Sequence, residues 1–207
     1  MKTGQKYAML VLLLILAATS GWILSQSLVG NDGRTQYAVR LPQPISLPDF
    51  SLVDQDGQPF GPGRLVGRWT WMFFGFTHCP DICPATLQLL SLARQKLLES
   101  NPDGAIPDIL LISVDPDRDT PELLQKYTAH FGDGVFGATG ETVELQKLTS
   151  KLGIYFEKQE SASENYSVAH SAHVIVIDDG GHYAAVFSAP HTVDAFVVDF
   201  PVLSASK

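Results

Sequence analysis

"WTWMFFGFTHCPDICP", residues 69–84, decides the fold, because in it a buried strand runs straight into a pair of thiols. Its first eight residues are apolar apart from Thr70 and Gly75, the pattern of a central strand covered on both faces. Cys79 and Cys83 follow at once and are the 2 cysteines of the 207-residue chain. In open α/β sheets, ligands and chemistry collect just past the C-terminal ends of the strands. Pro84 bears on where the next helix begins. Inside a helix already running from Cys79 it would delete a backbone bond to Pro80, so the regular helix is expected from Pro84. Cys83 is then at or beside the N-cap, where amide groups and the helix dipole favour thiolate over thiol.

Outward from this stretch, Leu87, Leu90, Leu92, Ala93 and Leu97 put one apolar face on a helix running to Ser100. "DILLISVD", residues 108–115, reads as a second buried strand, and strand, helix, strand at this spacing is a parallel right-handed βαβ unit. Thr120-Pro121 caps and opens a helix to about Phe131. "ETVELQKLTSKLG", residues 141–153, is a helix with Leu145, Leu148 and Leu152 on one face and Gly153 at its end. After the polar loop 157–167, "HVIVIDDGGHYAAVF" (173–187) reads as two strands joined through Asp179-Gly180-Gly181, and Thr192 caps a last helix towards Leu203. "FSLVDQDGQPF", residues 50–60, is a short hairpin around Asp56-Gly57. This element order is that of an α/β thioredoxin-like fold, a central mixed sheet flanked by helices.

The N-terminus differs in character. Residues 1–6 carry Lys2 and Lys6, and residues 7–24, "YAMLVLLLILAATSGWIL", carry no charge. As a helix they span about 27 Å, close to the hydrocarbon thickness of a bilayer. A single transmembrane anchor over 7–24 with a cytoplasmic 1–6 is the expectation. The alternative is a cleaved signal peptide ending near Ala18-Thr19-Ser20, against which Trp22, Ile23 and Leu24 extend the apolar run. Residues 25–48, with Gly30, Gly33, Pro42, Pro44 and Pro48, read as a tether, leaving 49–207 as the folded domain. All 22 acidic residues and 12 of the 14 basic ones lie beyond Leu24, giving the exported part a charge of about −10 and speaking against nucleic acid as a partner.

Two thiols this close are a staple, a redox couple or half of a metal site. A disulfide here closes a loop of about five residues, worth roughly 2 kcal/mol at most, which a domain with a real core does not need. A redox couple suits an exported compartment, although oxidoreductases of this fold place two residues between the cysteines and this chain has three. The same spacing lets both sulfurs meet one soft ion, Cu(I), or zinc with further ligands. Such a site needs an imidazole. Of the six histidines, His130, His182 and His191 have sufficient local roles at a helix end, a turn and a loop. His78 adjoins Cys79, while His170 and His173 lie just before the final hairpin, and periodicity does not choose between those two.

"FFGFTHCPDICP" (73–84), with "SVDPDRDTP" (113–121) and "YSVAHS" (166–171), resembles the Sco (SenC) copper-chaperone family. The resemblance implies that Cys79 and Cys83 are thiolate ligands and His170 the imidazole ligand of one copper, as Cu(I) or Cu(II). It implies delivery to, or preparation of, the binuclear copper centre of cytochrome c oxidase, whose copper-bearing subunit is then the partner, with another copper chaperone and a thiol reductant as further candidates. The domain is then expected to face the periplasm from a bacterial-type inner membrane, or the equivalent extracytoplasmic side such as the mitochondrial intermembrane space. Asp115, Asp117 and Asp119 match the family's acidic turn, Asp115 as a contact behind the ligands or to a partner, or as a turn and cap residue. The family usually has Asp before the ligand histidine, where this chain has Ala169. A thiol–disulfide oxidoreductase acting on the oxidase copper site or another exported protein is the enzymatic alternative. A thiol peroxidase fits poorly, since no proline precedes Thr77 in "WMFFGF".

Overall fold

The computed structural model describes residues 11–17, 19–21, 34–158 and 168–205, the side chains of Ala169 and His170 excepted. They divide into two units, 1–34 and 35–207. In the first, residues 11–17 and 19–21 are helical. Among the described residues no helix is long and apolar enough to cross a membrane. Of the expected anchor, residues 7–10, 18 and 22–24 lie outside the description, as do 1–6 and the first part of the expected tether, 25–33.

The second unit begins with β1 (Val39–Ser46), then a hairpin of β2 (Leu52–Asp54) and β3 (Pro59–Phe60) turning through Gly57, whose φ of 73° suits glycine. The strand read from "WTWMFFGF" is β4 (Thr70–Gly75), and all six of its residues are buried. Helix α1 (Ile82–Ser100) returns the chain to β5 (Asp108–Ser113), which pairs parallel to β4 in register from Thr70 opposite Asp108 to Gly75 opposite Ser113. Then come α2 (Pro121–Thr128), β6 (Val135–Thr139), α3 (Thr142–Leu152), β7 (Phe156–Lys158), β8 (Val168–His170), β9 (Val174–Ile177), β10 (His182–Phe187) and α4 (Val193–Ala205).

Eight strands make one mixed sheet in the order β1-β10-β9-β4-β5-β6-β2-β3, the thioredoxin-type arrangement expected. β4, β5 and β6 run parallel, and β9 closes against β4 antiparallel. The core lies on the central strands. Trp71 of β4 packs its ring 5.0 Å from Phe196 and 5.4 Å from Phe200 of α4, which lies beside α1. Thr120 caps α2 by accepting from the Leu123 amide, and Gly153 ends α3 in the left-handed region, both as the sequence implies.

The structure departs from the sequence reading in four places. Residues 35–48, read as tether, are folded onto the domain. β1 pairs with β10, and its Pro42 and Pro44 are tolerated because it is an edge strand with an irregular register between Arg40 and Ile45. The entry to β1 is held by the buried carboxylate of Asp199 in α4, which accepts from the amides of Gln36, Tyr37 and Ala38 at 2.8, 2.7 and 2.7 Å. Strand β6 is absent from the reading, because Gly137 and Ala138 within it carry little strand signal. The hairpin β7–β8 is absent as well, its three-residue strands lying at the ends of a stretch that reads as polar loop. Finally, α1 starts at Ile82, two residues before Pro84. Proline is accommodated in the first turn because the first four amides of a helix have no intrahelical acceptor to lose.

Candidate metal centre

The two cysteines sit where β4 turns into α1. The Cys79 amide bonds back to the Phe76 carbonyl at 3.3 Å, closing a turn, and Asp81 occupies the N-cap without a side-chain cap bond. The capping role falls instead to sulfur, since the Cys83 amide donates to Cys79 Sγ at 3.5 Å. Cys83 is therefore inside the first turn of α1, not at its cap, while Cys79 Sγ faces the helix N-terminus, whose dipole favours negative charge. No disulfide joins the pair.

The environments of the two thiols differ. Cys79 is half-buried and Cys83 fully buried. Burial pushes the Cys83 thiol up from its ordinary value, a backbone hydrogen bond at Phe76 pulls against it, and Cys79 and Asp119 add to the rise. Room for the Cys83 sulfur comes from Gly75, where a Cβ would lie 2.9 Å from Sγ. The buried Tyr127 hydroxyl, without a hydrogen-bond partner among the described residues, has its ionisation suppressed by burial and by the charges of Cys83, Cys79 and Asp119.

Beneath the cysteine turn lies the acidic turn after β5. Asp119, fully buried, accepts from the Thr77 amide at 2.9 Å, the Thr77 hydroxyl at 2.6 Å and the Ser113 hydroxyl at 2.6 Å. His78 Nδ1 stands 3.1 Å from Thr77 Oγ1 and 3.5 Å from Asp119 Oδ1. Asp115 serves the turn: its carbonyl accepts from the Arg118 and Asp119 amides, and its carboxylate holds Arg118 Nε at 2.5 Å. The Arg118 guanidinium in turn lies 5.8 Å from the Phe76 ring centroid. Asp119 belongs to the acidic turn named from the sequence, but its hold on the cysteine loop is a contact that the sequence does not show. Its contacts span 42 positions to Thr77, and no local spacing announces them.

His170 is the last residue of β8, its backbone paired opposite Phe156 of β7. Its side chain lies outside the described residues, and of the expected ligands the structure brings Cys79 and Cys83 together. Among the described residues, no three His, Cys, Asp or Glu side chains form a ready metal cluster. Three other histidines have local partners. His130 Nδ1 is 2.6 Å from the Lys126 carbonyl, His182 Nδ1 is 3.3 Å from Asp178, and His191 Nε2 is 2.6 Å from the Ala172 carbonyl. His173 is half-buried just before β9.

Comparisons with known proteins bear on the family of the chain. The family model described as SCO1/SenC matches residues 40–200. The chain is 37% identical over 162 residues to a Stutzerimonas stutzeri protein named for copper binding, covering 74% of each. It is 34% identical over 146 residues to the mitochondrial SCO1 homolog 1 of Arabidopsis thaliana, covering 70% of this chain and 43% of that protein. The crystal structure of Arabidopsis thaliana ScoI with copper bound superposes with a TM-score of 0.71 at 31% identity, over 76% of this chain and 96% of that one.

Proposed function

Because this chain belongs to the SCO1/SenC family, we propose that it binds one copper ion as cargo through Cys79, Cys83 and His170 and delivers it to the binuclear copper centre of cytochrome c oxidase. The observation that carries the reading is the corner itself. One sulfur caps α1 and the other occupies a hollow that exists because residue 75 is glycine, so two soft donors start from one helix turn. Two thiolates and a neutral imidazole favour Cu(I) and leave an open side for transfer. Loading must displace the Cys83 proton, which burial otherwise retains, and requires neutral His170, so copper capture weakens as pH falls. The ligand histidine sits on a hairpin separate from the thiols, which suits release to a partner. The apolar segment 7–24 anchors the chain, with the domain on the extracytoplasmic side.

The unequal exposure of the thiols favours a second use of the same pair. A half-buried Cys79 can attack a disulfide of another protein, and the buried Cys83 can then resolve the mixed disulfide, giving up two protons and two electrons to the reduced target. The discriminating experiment is a Cu(I) competition titration of the reduced full chain beside its His170→Ala variant. One copper per chain, at least tenfold weaker without His170, supports the chaperone. Binding indifferent to His170, with rapid disulfide exchange, replaces it with the oxidoreductase.

A further inference from the structure

The two halves of the proposed copper site lie on separate elements, and the acidic turn after β5 touches both. On one side Asp119 holds Thr77, two residues before Cys79, through its amide and hydroxyl. On the other, Lys158 Nζ donates to Asp117 Oδ2 at 2.8 Å across 41 positions. Lys158 is in β7, paired opposite Val168 of β8, two residues before His170. The β7–β8 hairpin forms its own two-stranded sheet with no strand of the main sheet beside it. Among the described residues, its attachments to the domain include the buried Val168, the half-buried Phe156 and this ion pair.

We propose that Asp117 and Lys158 are a positioning pair, strapping the hairpin that carries His170 to the turn that fixes the cysteine loop. The five-residue stretch 115–119 then sets the separation of the thiol and imidazole donors. This inference rests on His170 being the third ligand. The pair is exposed, 52% at Lys158 and 68% at Asp117, so its strength is modest and salt-dependent. That sets it apart from the buried Asp119 contacts. One end of the site is fixed rigidly, while the other is held by a contact that an approaching charged partner can compete for.

The test uses the reduced full chain with Lys158→Asp, Asp117→Lys and the double exchange, both substitutions being at exposed positions that leave the core intact. Two readouts are taken at low and high salt: Cu(I) affinity by chelator competition, and hydrogen exchange in the copper-free protein at the Ser171 amide, which bonds the Tyr155 carbonyl at 2.9 Å. Each single reversal is expected to weaken Cu(I) about fivefold and to speed Ser171 exchange by a similar factor at low salt. The double exchange restores both, and high salt shrinks every difference. Single reversals without effect, or a double exchange that fails to restore, overturn the strap. A His170→Ala arm separates the two ideas. If copper binding ignores His170, the ligand reading has failed, and the strap is judged on Ser171 exchange alone.

Discussion

Two fully buried carboxylates, Asp119 and Asp199, do the same physical work in different parts of the domain. Each gathers three hydrogen bonds from a segment it must hold. Asp199 takes three successive backbone amides, Gln36 to Ala38, and fastens the chain's entry to α4. Asp119 takes one amide and two hydroxyls, and fastens the cysteine loop to the end of β5. Backbone amides cannot turn away when their acceptor is removed, whereas hydroxyls can rotate to other acceptors. The first clamp is therefore the larger contributor to stability, and the second the larger contributor to the site.

Replacing either carboxylate has the largest expected effect. Asp199→Ala is expected to cost about 3 kcal/mol in urea unfolding, because amides around a buried position lose their acceptor, with Cu(I) affinity of the folded protein unchanged. Asp119→Ala costs about 2 kcal/mol and also lowers Cu(I) affinity about tenfold, since the loop before Cys79 is released. Equal copper affinities in the two variants would remove the distinction. A smaller effect is expected at Gly75. In Gly75→Ala the new Cβ meets Cys83 Sγ at 2.9 Å and Phe73 Cε1 at 3.1 Å, so the sulfur must shift. About 1 kcal/mol of stability is lost, and copper affinity falls with it. An alanine variant with wild-type copper affinity would mean that the hollow does not set the sulfur's position.

The smallest expected effect is a pH dependence on the Asp199 side, at the loop leading into α4. Burial lowers the His191 pKa below its ordinary value, while the Ala172 carbonyl opposes that shift. The unfolded chain then binds the proton more readily than the folded one, so stability is intact above the ordinary histidine pKa of about 6.5 and declines as pH falls through it. His191→Gln should flatten this part of the unfolding profile of the copper-free protein. An unchanged slope would assign it elsewhere.

What the sequence revealed follows how local the signal is. An all-apolar strand and a four-residue separation between thiols are contained within one short stretch, so β4 and the cysteine pair were legible. So were Thr120 as a cap and Gly153 as a helix end, each acting within a turn of its own position. β6 was hidden by its glycine and alanine, and β1 by prolines that only an edge strand tolerates. The start of α1 was misplaced because the missing amide of proline costs nothing in a first turn. The clamps were illegible in principle. Asp199 reads as an ordinary acid and Asp119 only as part of the acidic turn, until the fold brings Gln36 to one and Thr77 to the other.

The proposed ligand set of Cys79, Cys83 and His170 is tested by X-ray absorption of the Cu(I)-loaded full chain. Two sulfur scatterers and one nitrogen scatterer per copper are expected, with the nitrogen lost in His170→Ala and the sulfurs retained. A spectrum with sulfur alone in the unsubstituted chain, or a nitrogen that survives His170→Ala, would contradict it.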